Sequence, residues 1–233
     1  MRGLFQEELD HVQDQLVEMS GLAATALQRA TSALMGADLS LAQQVISDDQ
    51  LLDALRRDLD NRAIDVLARQ QPVATDLRQM VTALRMSSDL ERAGDLARHV
   101  AKLARLRYPA QVLPEELRPL FAEMATTAER MVRRAGEIVG DSDQHGASEL
   151  LQADDTIDRL HREVFRRLLD PSWAGSTQQT VDATLLSRYY ERYADHAVSV
   201  ALRVVYLVTG AWHDEQLPGA HDRYISTVPR SGT

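Results

Sequence analysis

The chain contains an internal repeat, and this repeat limits the possible fold more than any other feature of the sequence. Three short sets of residues in the first half return in the same order in the second half. The matches are Leu34–Gly36 with Ile138–Gly140 at an offset of 104, Asp49 and Asp53 with Asp154 and Asp158 at an offset of 105, and Glu91 and Asp95 with Glu191 and Asp195 at an offset of 100. The shorter last offset indicates a deletion in a loop, where changes of length cost little. The sequence therefore predicts two similar units.

Long helices joined by short loops are the predicted structure of each unit. The 233 residues include only 11 Gly and 7 Pro, and 44% are hydrophobic, which is typical of a globular helical protein. Apolar residues recur every three or four positions, as in Val12, Leu16 and Met19. Prolines, glycines and the capping residue Asp38 divide the chain into predicted helices over about residues 5–35, 39–69, 71–102, 115–139, 147–169 and 181–208.

The predicted fold is all-α, with two tandem antiparallel three-helix bundles related by the internal repeat. The first bundle takes residues 1–108 and the second takes residues 115–212, with a proline-rich linker between them. Residues 213–233 are polar and contain several prolines and glycines, so we expect a disordered tail.

The predicted third helix, residues 71–102, carries acidic residues in an unusual place. Pro72 suits its first turn, because proline lacks an amide proton and has a fixed φ. Residues seven apart lie on the same face of a helix. Two such series run from apolar to acidic residues, namely Leu77, Leu84 and Glu91, and Val81, Ser88 and Asp95. The pattern predicts that Glu91 and Asp95 continue the apolar stripe of the helix.

Four acidic pairs, each with its members four residues apart, occupy equivalent places on the second and third helices of both units. Each pair repels itself, and the repulsion grows with burial, so facing pairs require a cation or bound protons. We predict one metal site in each bundle. The candidate ligands are Asp49, Asp53, Glu91 and Asp95 in the first bundle, and Asp154, Asp158, Glu191 and Asp195 in the second. A solvated helix face or an acidic surface for a partner also fits these pairs.

Composition narrows the class of protein and the kind of metal. A net charge of −9 and a pI near 5.2 argue against a nucleic-acid partner. The absence of cysteine leaves oxygen ligands and hard cations, with Mg, Mn, Fe or Zn as candidates. We do not include His99 and His161 among the ligands, since a lone histidine on a helix is usually solvated or hydrogen-bonded. Without a long apolar run or a signal peptide, we expect a cytoplasmic protein that reaches the membrane only through partners.

The sequence resembles the PhoU family of phosphate-transport regulators. The resemblance lies in the runs ARQQPVATDLRQM, DLERAGDLA and DDQLLD of the first unit, and in DDTID and ERYADHA of the second, and it extends to about residue 210. It implies paired three-helix bundles whose acidic motifs hold metal in some members, which assigns the same eight carboxylates as ligands. It also implies a negative regulator of the phosphate-starvation response that links the ATPase subunit of a phosphate ABC transporter to a sensor histidine kinase. We also expect a homodimer.

One position departs from the usual ERIGD motif of this family. The motif reads ERAGD in the first unit and ERYAD in the second, so that Gly94 is kept and Ala194 replaces its counterpart. A glycine inside a helix costs about 1 kcal/mol relative to alanine, so its presence predicts that another group approaches the helix closely. This difference favours the first metal site over the second.

Two functions of different classes fit the sequence. The first is a non-enzymatic adaptor, since the chain has no GxxxxGK[ST] phosphate loop, no HExxH motif and no glycine-rich dinucleotide turn. The alternative is a carboxylate-bridged metalloenzyme or metal store on a helical bundle. Di-iron bundles use Glu-x-x-His pairs, but Gly94 and Ala194 stand three residues after Glu91 and Glu191. A purely structural scaffold is a third possibility that the sequence does not separate from the adaptor.

Overall fold

A computed structural model of the chain describes residues 2–143 and 145–210, so the predicted tail at residues 213–233 lies outside the described residues. The described part contains six long helices, a short 3₁₀ turn at Glu115–Leu117 and no strand, which confirms the predicted all-α fold. The helices are α1 (Arg2–Gly36), α2 (Leu39–Gln70), α3 (Thr75–Arg107), α4 (Arg118–Asp141), α5 (Gly146–Leu168) and α6 (Thr177–Thr209). None of these helices combines the length and the apolar character that crossing a membrane requires.

Capping residues set the starts of two helices. At the start of α2, the Asp38 carboxylate accepts a hydrogen bond from the N–H of Leu41 at 2.9 Å, as the sequence predicts. At the start of α6, Ser176 and Gln179 form a capping box. This helix therefore begins at Thr177, about one turn before the predicted start at residue 181.

The predicted position of Pro72 in the first turn of α3 is wrong. The helix begins at Thr75, and the chain turns between α2 and α3 in residues 71–74. Gln71 and Ala74 take positive φ values of 46° and 50° within this turn. The fixed φ of proline suits a turn as well as the start of a helix, so the sequence signal does not distinguish the two positions.

The two repeats pack side by side as three-helix bundles. In the first, α2 packs on α1 and α3; in the second, α5 packs on α4 and α6. The bundles meet through α1 with α4 and through α3 with α6, so these four helices form a central group with α2 and α5 on opposite sides. Helices α3 and α6 run antiparallel, since Arg107 at the end of α3 contacts Asp182 near the start of α6. At the other end, Arg78 lies over the ring of Tyr206, 5.6 Å from its centroid.

Buried and half-buried ion pairs join the two bundles along α3 and α6. Arg107 donates two hydrogen bonds, of 2.7 and 2.9 Å, to the Asp182 carboxylate, whose side chain is only 2% exposed. Nearer the middle of the helices, Asp89 accepts a hydrogen bond of 3.0 Å from Arg203 and lies 3.2 Å from Nδ1 of His196. A buried carboxylate that loses its partner costs several kcal/mol, so these pairs disfavour other placements of the bundles.

The core faces of α3 and α6 differ from the faces that the heptad pattern predicts. Leu77 and Val81 on α3 are 41% and 37% exposed, and Leu185 on α6 is 41% exposed. Alanine is the most frequent residue at the buried positions of α3, which also include methionine, leucine and valine, whereas those of α6 include the fully buried Tyr190 and Tyr193. Small residues allow close helix packing but give a weak apolar signal in a sequence. The acidic residues beside the exposed leucines therefore lie at the edge of the core.

Candidate metal centres in the two acidic clusters

The eight predicted ligands lie at the edges of two helix pairs, one pair in each bundle. Their helices pack directly on each other, α2 on α3 in the first bundle and α5 on α6 in the second. We refer to Asp49, Asp53, Glu91 and Asp95 as the first cluster, and to Asp154, Asp158, Glu191 and Asp195 as the second cluster. The fold therefore presents the acidic pairs of each unit on neighbouring helices.

Arg98 of α3 lies between carboxylates of the first cluster. Its Nη1 is 2.6 Å from Oδ2 of Asp49, as an ion pair without the alignment of a hydrogen bond, and its Nη2 donates to Oδ1 of Asp95. Arg56 of α2 adds an ion pair, with its Nη1 3.3 Å from Oε2 of Glu91. The Asp49 side chain is 6% exposed, so its contact with Arg98 is largely shielded from water. Two arginines thus pair with three of the four carboxylates.

The arginines oppose a repulsion that is present in the first cluster. Burial raises the pKa of Asp49 above its ordinary value, while the charge of Arg98 lowers it and the charges of Asp53 and Asp95 raise it. Burial likewise raises the pKa of Glu91, and the opposing positive charge there is Arg56. The positive charge that the facing carboxylates need is therefore partly supplied by Arg98 and Arg56.

The second cluster has weaker counter-charges, and these come from α6 alone. Nη1 of Arg188 lies 2.5 Å from both carboxylate oxygens of Glu191, and Nη1 of Arg192 lies 3.8 Å from Oδ2 of Asp195. The side chains of these arginines are 53% and 42% exposed. Within the described residues, no basic side chain forms an ion pair with Asp154 or Asp158 on α5.

The electrostatics of the second cluster reflect this shortage of positive charge. Burial, followed by the charge of Asp158, raises the pKa of Asp154 from 3.8 to about 7. Burial and the charge of Asp195 raise the pKa of Glu191 to about 7, despite Arg188. Burial also raises the pKa of Asp195. Near neutral pH the second cluster therefore holds protons that a bound cation would displace.

The repeat shows where the two clusters diverge. The offsets that align the acidic pairs place His161 at the position of Arg56, and Val198 at the position of Arg98. Nδ1 of His161 lies 2.7 Å from Oγ of Ser187, and burial lowers the pKa of this histidine, so that it adds no positive charge. Val198 is a buried apolar residue. The second cluster therefore has no arginine at the positions equivalent to Arg56 and Arg98.

Two residues near the first cluster serve packing. A Cβ atom placed on Gly94 would lie 2.2 Å from Cδ2 of Leu52, so Leu52 of α2 is the group that approaches the glycine closely. The glycine is explained by helix packing and does not by itself favour a metal at the first cluster. His99, one turn beyond Asp95, stacks on Tyr189 of α6 with their ring centroids 5.4 Å apart.

The donor groups fit a metal ion better in the second cluster than in the first. Within residues 2–143 and 145–210, no three histidine or acidic side chains are gathered closely enough to form a ready metal-binding group. The second cluster nevertheless offers four oxygen donors whose mutual repulsion a hard cation would relieve. In the first cluster, Arg98 already holds oxygens of Asp49 and Asp95 that a metal would need.

The sequence interpretation missed the arginines that pair with the first cluster. Asp95 and Arg98 are three residues apart on α3, a spacing that often brings opposite charges together and was available as a signal. The contact between Arg98 and Asp49 joins two helices, and it depends on how α2 and α3 are rotated about their axes. Nothing in the linear spacing of these two residues indicates that contact.

Known proteins resemble this chain over both bundles. The PhoU domain, as a family profile, matches residues 16–104 and 121–204, with one match in each bundle. A Mycobacterium tuberculosis protein named phosphate-specific transport system accessory protein PhoU homolog 2 is 47% identical over 212 residues, which cover 91% of this chain and 100% of that protein. The PhoU homolog 1 of Mycobacterium leprae is 44% identical over 221 residues, which cover 94% of this chain and 100% of that protein.

A solved structure also shares the fold. The crystal structure of PhoU from Pseudomonas aeruginosa superposes on this chain with a TM-score of 0.79 and 31% sequence identity. The aligned region covers 89% of this chain and 100% of that chain. The similarity therefore extends over the paired bundles and is not confined to one repeat.

Proposed function

This chain belongs to the PhoU family, and from that premise we propose that it regulates phosphate uptake as an accessory protein of a phosphate-specific transport system. The observation that carries the proposal is the match to the mycobacterial relative, which extends over its whole length and over both bundles. That relative is named as such an accessory protein. A resemblance over both bundles supports a shared role better than a resemblance in one domain.

The finer role that we propose is negative regulation of the phosphate-starvation response in the cytoplasm. In this role the protein, as a homodimer, contacts the ATPase subunit of a phosphate ABC transporter and a sensor histidine kinase. Regulation requires only that the protein bind two states of the transporter with unequal affinity. A tenfold difference corresponds to about 1.4 kcal/mol, which a few contacts at the edge of an interface supply.

The proposed mode of action is binding without turnover. The chain carries no nucleotide-binding loop, no HExxH motif and no Glu-x-x-His pair at the acidic clusters. The buried contact of Arg107 with Asp182 joins the two bundles, which is a structural role. This arrangement supports an adaptor over the metalloenzyme alternative.

Cation binding is part of the proposed function. The acidic clusters would hold a divalent or ferric ion through carboxylate oxygens. The second cluster is the better candidate because fewer arginines neutralise its carboxylates. The ion would neutralise the facing carboxylates and stabilise the packing of α5 on α6. The residues of the chain supply the ligands and the geometry, whereas the choice among Mg, Mn, Fe and Zn depends on which ion the cell offers.

A deletion strain tests the proposed function in cells. We expect constitutive expression of phosphate-starvation genes in high phosphate when the gene is deleted, and restored repression on complementation with the wild-type chain. A complementing variant with Asp154→Asn and Asp195→Asn reports on the second cluster, and Asp14→Asn on the exposed face of α1 is its matched control. Normal repression in the deletion strain would contradict negative regulation.

A further inference from the structure

We propose that Arg98 takes the place of a metal ion in the first cluster, so that the protein neutralises this cluster itself and cation binding is confined to the second cluster. The second half of this inference rests on the cation binding proposed above, whereas the first half does not. The two repeats, although built alike, would then differ in role. The first would be a fixed structural cluster, and the second would respond to ions.

The contacts of Arg98 resemble those of a bridging ion. Its two terminal nitrogens reach carboxylates on different helices, Asp49 on α2 and Asp95 on α3. Asp49 and Asp95 are among the residues that would hold a cation in this cluster. The Arg98 side chain is 28% exposed and that of Asp49 is 6% exposed, so the contact is far less screened than a surface pair. Arg98 therefore already occupies two carboxylate oxygens that a metal in this cluster would need.

Neighbouring charges support the same conclusion. Arg56 contacts Glu91, and the charge of Lys102 also lowers the pKa of Asp49. In the second repeat, Val198 stands at the place of Arg98 and His161 at the place of Arg56. The charge that makes a metal unnecessary in the first cluster is thus absent from the corresponding positions of the second.

Titration of the full chain with Mn²⁺ tests the proposal, with calorimetry and thermal melting as readouts. The second cluster is first silenced by Asp154→Asn with Glu191→Gln. In this background we expect no Mn²⁺ binding while Arg98 is present. Adding Arg98→Met should create saturable binding, and this binding should disappear when Asp49→Asn is added. Arg105→Met, at an exposed position of the same helix, is the matched control and should create no binding.

A metal-free measurement tests the counter-ion role separately. Arg98→Met should melt at a lower temperature than the wild-type chain, because Asp49 then remains buried without its partner. The combination of Arg98→Met with Asp49→Asn should recover part of the loss. Equal melting of the single and double variants would overturn the role of Arg98.

Other outcomes distinguish the two proposals. Mn²⁺ binding that persists in the silenced background with Arg98 intact, and that Asp49→Asn abolishes, would overturn the inference. A failure of Arg98→Met to create any binding would overturn it as well. If the wild-type chain binds no Mn²⁺ but Arg98→Met gains a site at the first cluster, cation binding is lost from the proposed function while the role of Arg98 is supported.

Discussion

Leu52 of α2 fills the space that a side chain on Gly94 of α3 would need, with its Cδ2 atom 2.2 Å from where a Cβ atom would lie. Leu52 lies between Asp49 and Asp53 in the sequence, and Gly94 lies between Glu91 and Asp95, so this contact joins the two helices at the first cluster. The packing of α2 on α3 and the geometry of the cluster therefore depend on the same contact.

Gly94→Ala should destabilise the protein, although alanine is the better helix former. The added methyl group forces Leu52, which is 4% exposed, to repack, at a cost of about 1–3 kcal/mol. Gly21→Ala on α1 is the matched control, because a Cβ atom there has no heavy atom within 4 Å. The control should gain up to about 1 kcal/mol. Urea unfolding measures both, and a gain in stability for Gly94→Ala would show that the contact is not tight.

Removal of Arg107 should cost more than removal of the whole ion pair that it forms. Arg107→Met leaves the Asp182 carboxylate, 2% exposed, without its hydrogen-bond donors. Arg107→Met with Asp182→Leu leaves no buried charge, so this double variant should melt at a higher temperature than the single variant. Thermal melting at neutral pH measures the difference. Equal melting would mean that water reaches Asp182 when the arginine is gone.

The sequence was sufficient to predict the helices, because their signals are local, and the repeat, because three sets of residues recur in the same order. Val12, Leu16 and Met19 form an apolar stripe, and all three are buried as predicted. The Asp38 cap is likewise visible in a few residues. The pairing of α2 with α3 and of α5 with α6 follows from short connections within each unit.

The rotation of α3 and α6 could not be predicted in the same way. Alanine is the most frequent residue on both core faces, and Leu77 on α3 and Leu185 on α6 are exposed, so the apolar residues spaced seven apart indicate the wrong face. The contacts that cross between helices depend on this rotation. For that reason the sequence indicated the acidic pairs but not their ion pairs with Arg98, which are present in the first repeat only.

The metal-free protein should lose stability as the pH rises from about 4 to about 7, through the second cluster. The pKa of Asp154 rises from 3.8 to about 7 in the folded protein, mainly through burial, so the folded state keeps a proton that the unfolded state releases. The stabilising effect of this proton is complete below about pH 4 and disappears as the pH passes through 7. Asp154→Asn carries no charge at this position and should show a smaller loss, which then comes from Glu191 and Asp195.

The measurement compares the two proteins in a chelator across this range of pH. The difference in unfolding free energy should be near zero at pH 4 and favour Asp154→Asn above pH 7, on the order of 1 kcal/mol after allowance for solvent screening. Asp14→Asn, at an exposed position of α1, should give a flat difference curve. A flat curve for Asp154→Asn as well would mean that Asp154 is ionised throughout this range.

Partner binding should follow the supply of phosphate if the protein is an adaptor. The proposal requires unequal affinity for two transporter states, so affinity capture of the tagged chain should recover more of the ATPase subunit or the kinase from cells in high phosphate than from starved cells. The variant with Asp154→Asn and Asp195→Asn tests whether the second cluster takes part, against Asp14→Asn as the control. Because a tenfold change in affinity needs only about 1.4 kcal/mol, local repacking of α5 on α6 is sufficient to produce it. Recovery of neither partner, together with steady metal-dependent turnover by the purified protein, would favour the metalloenzyme.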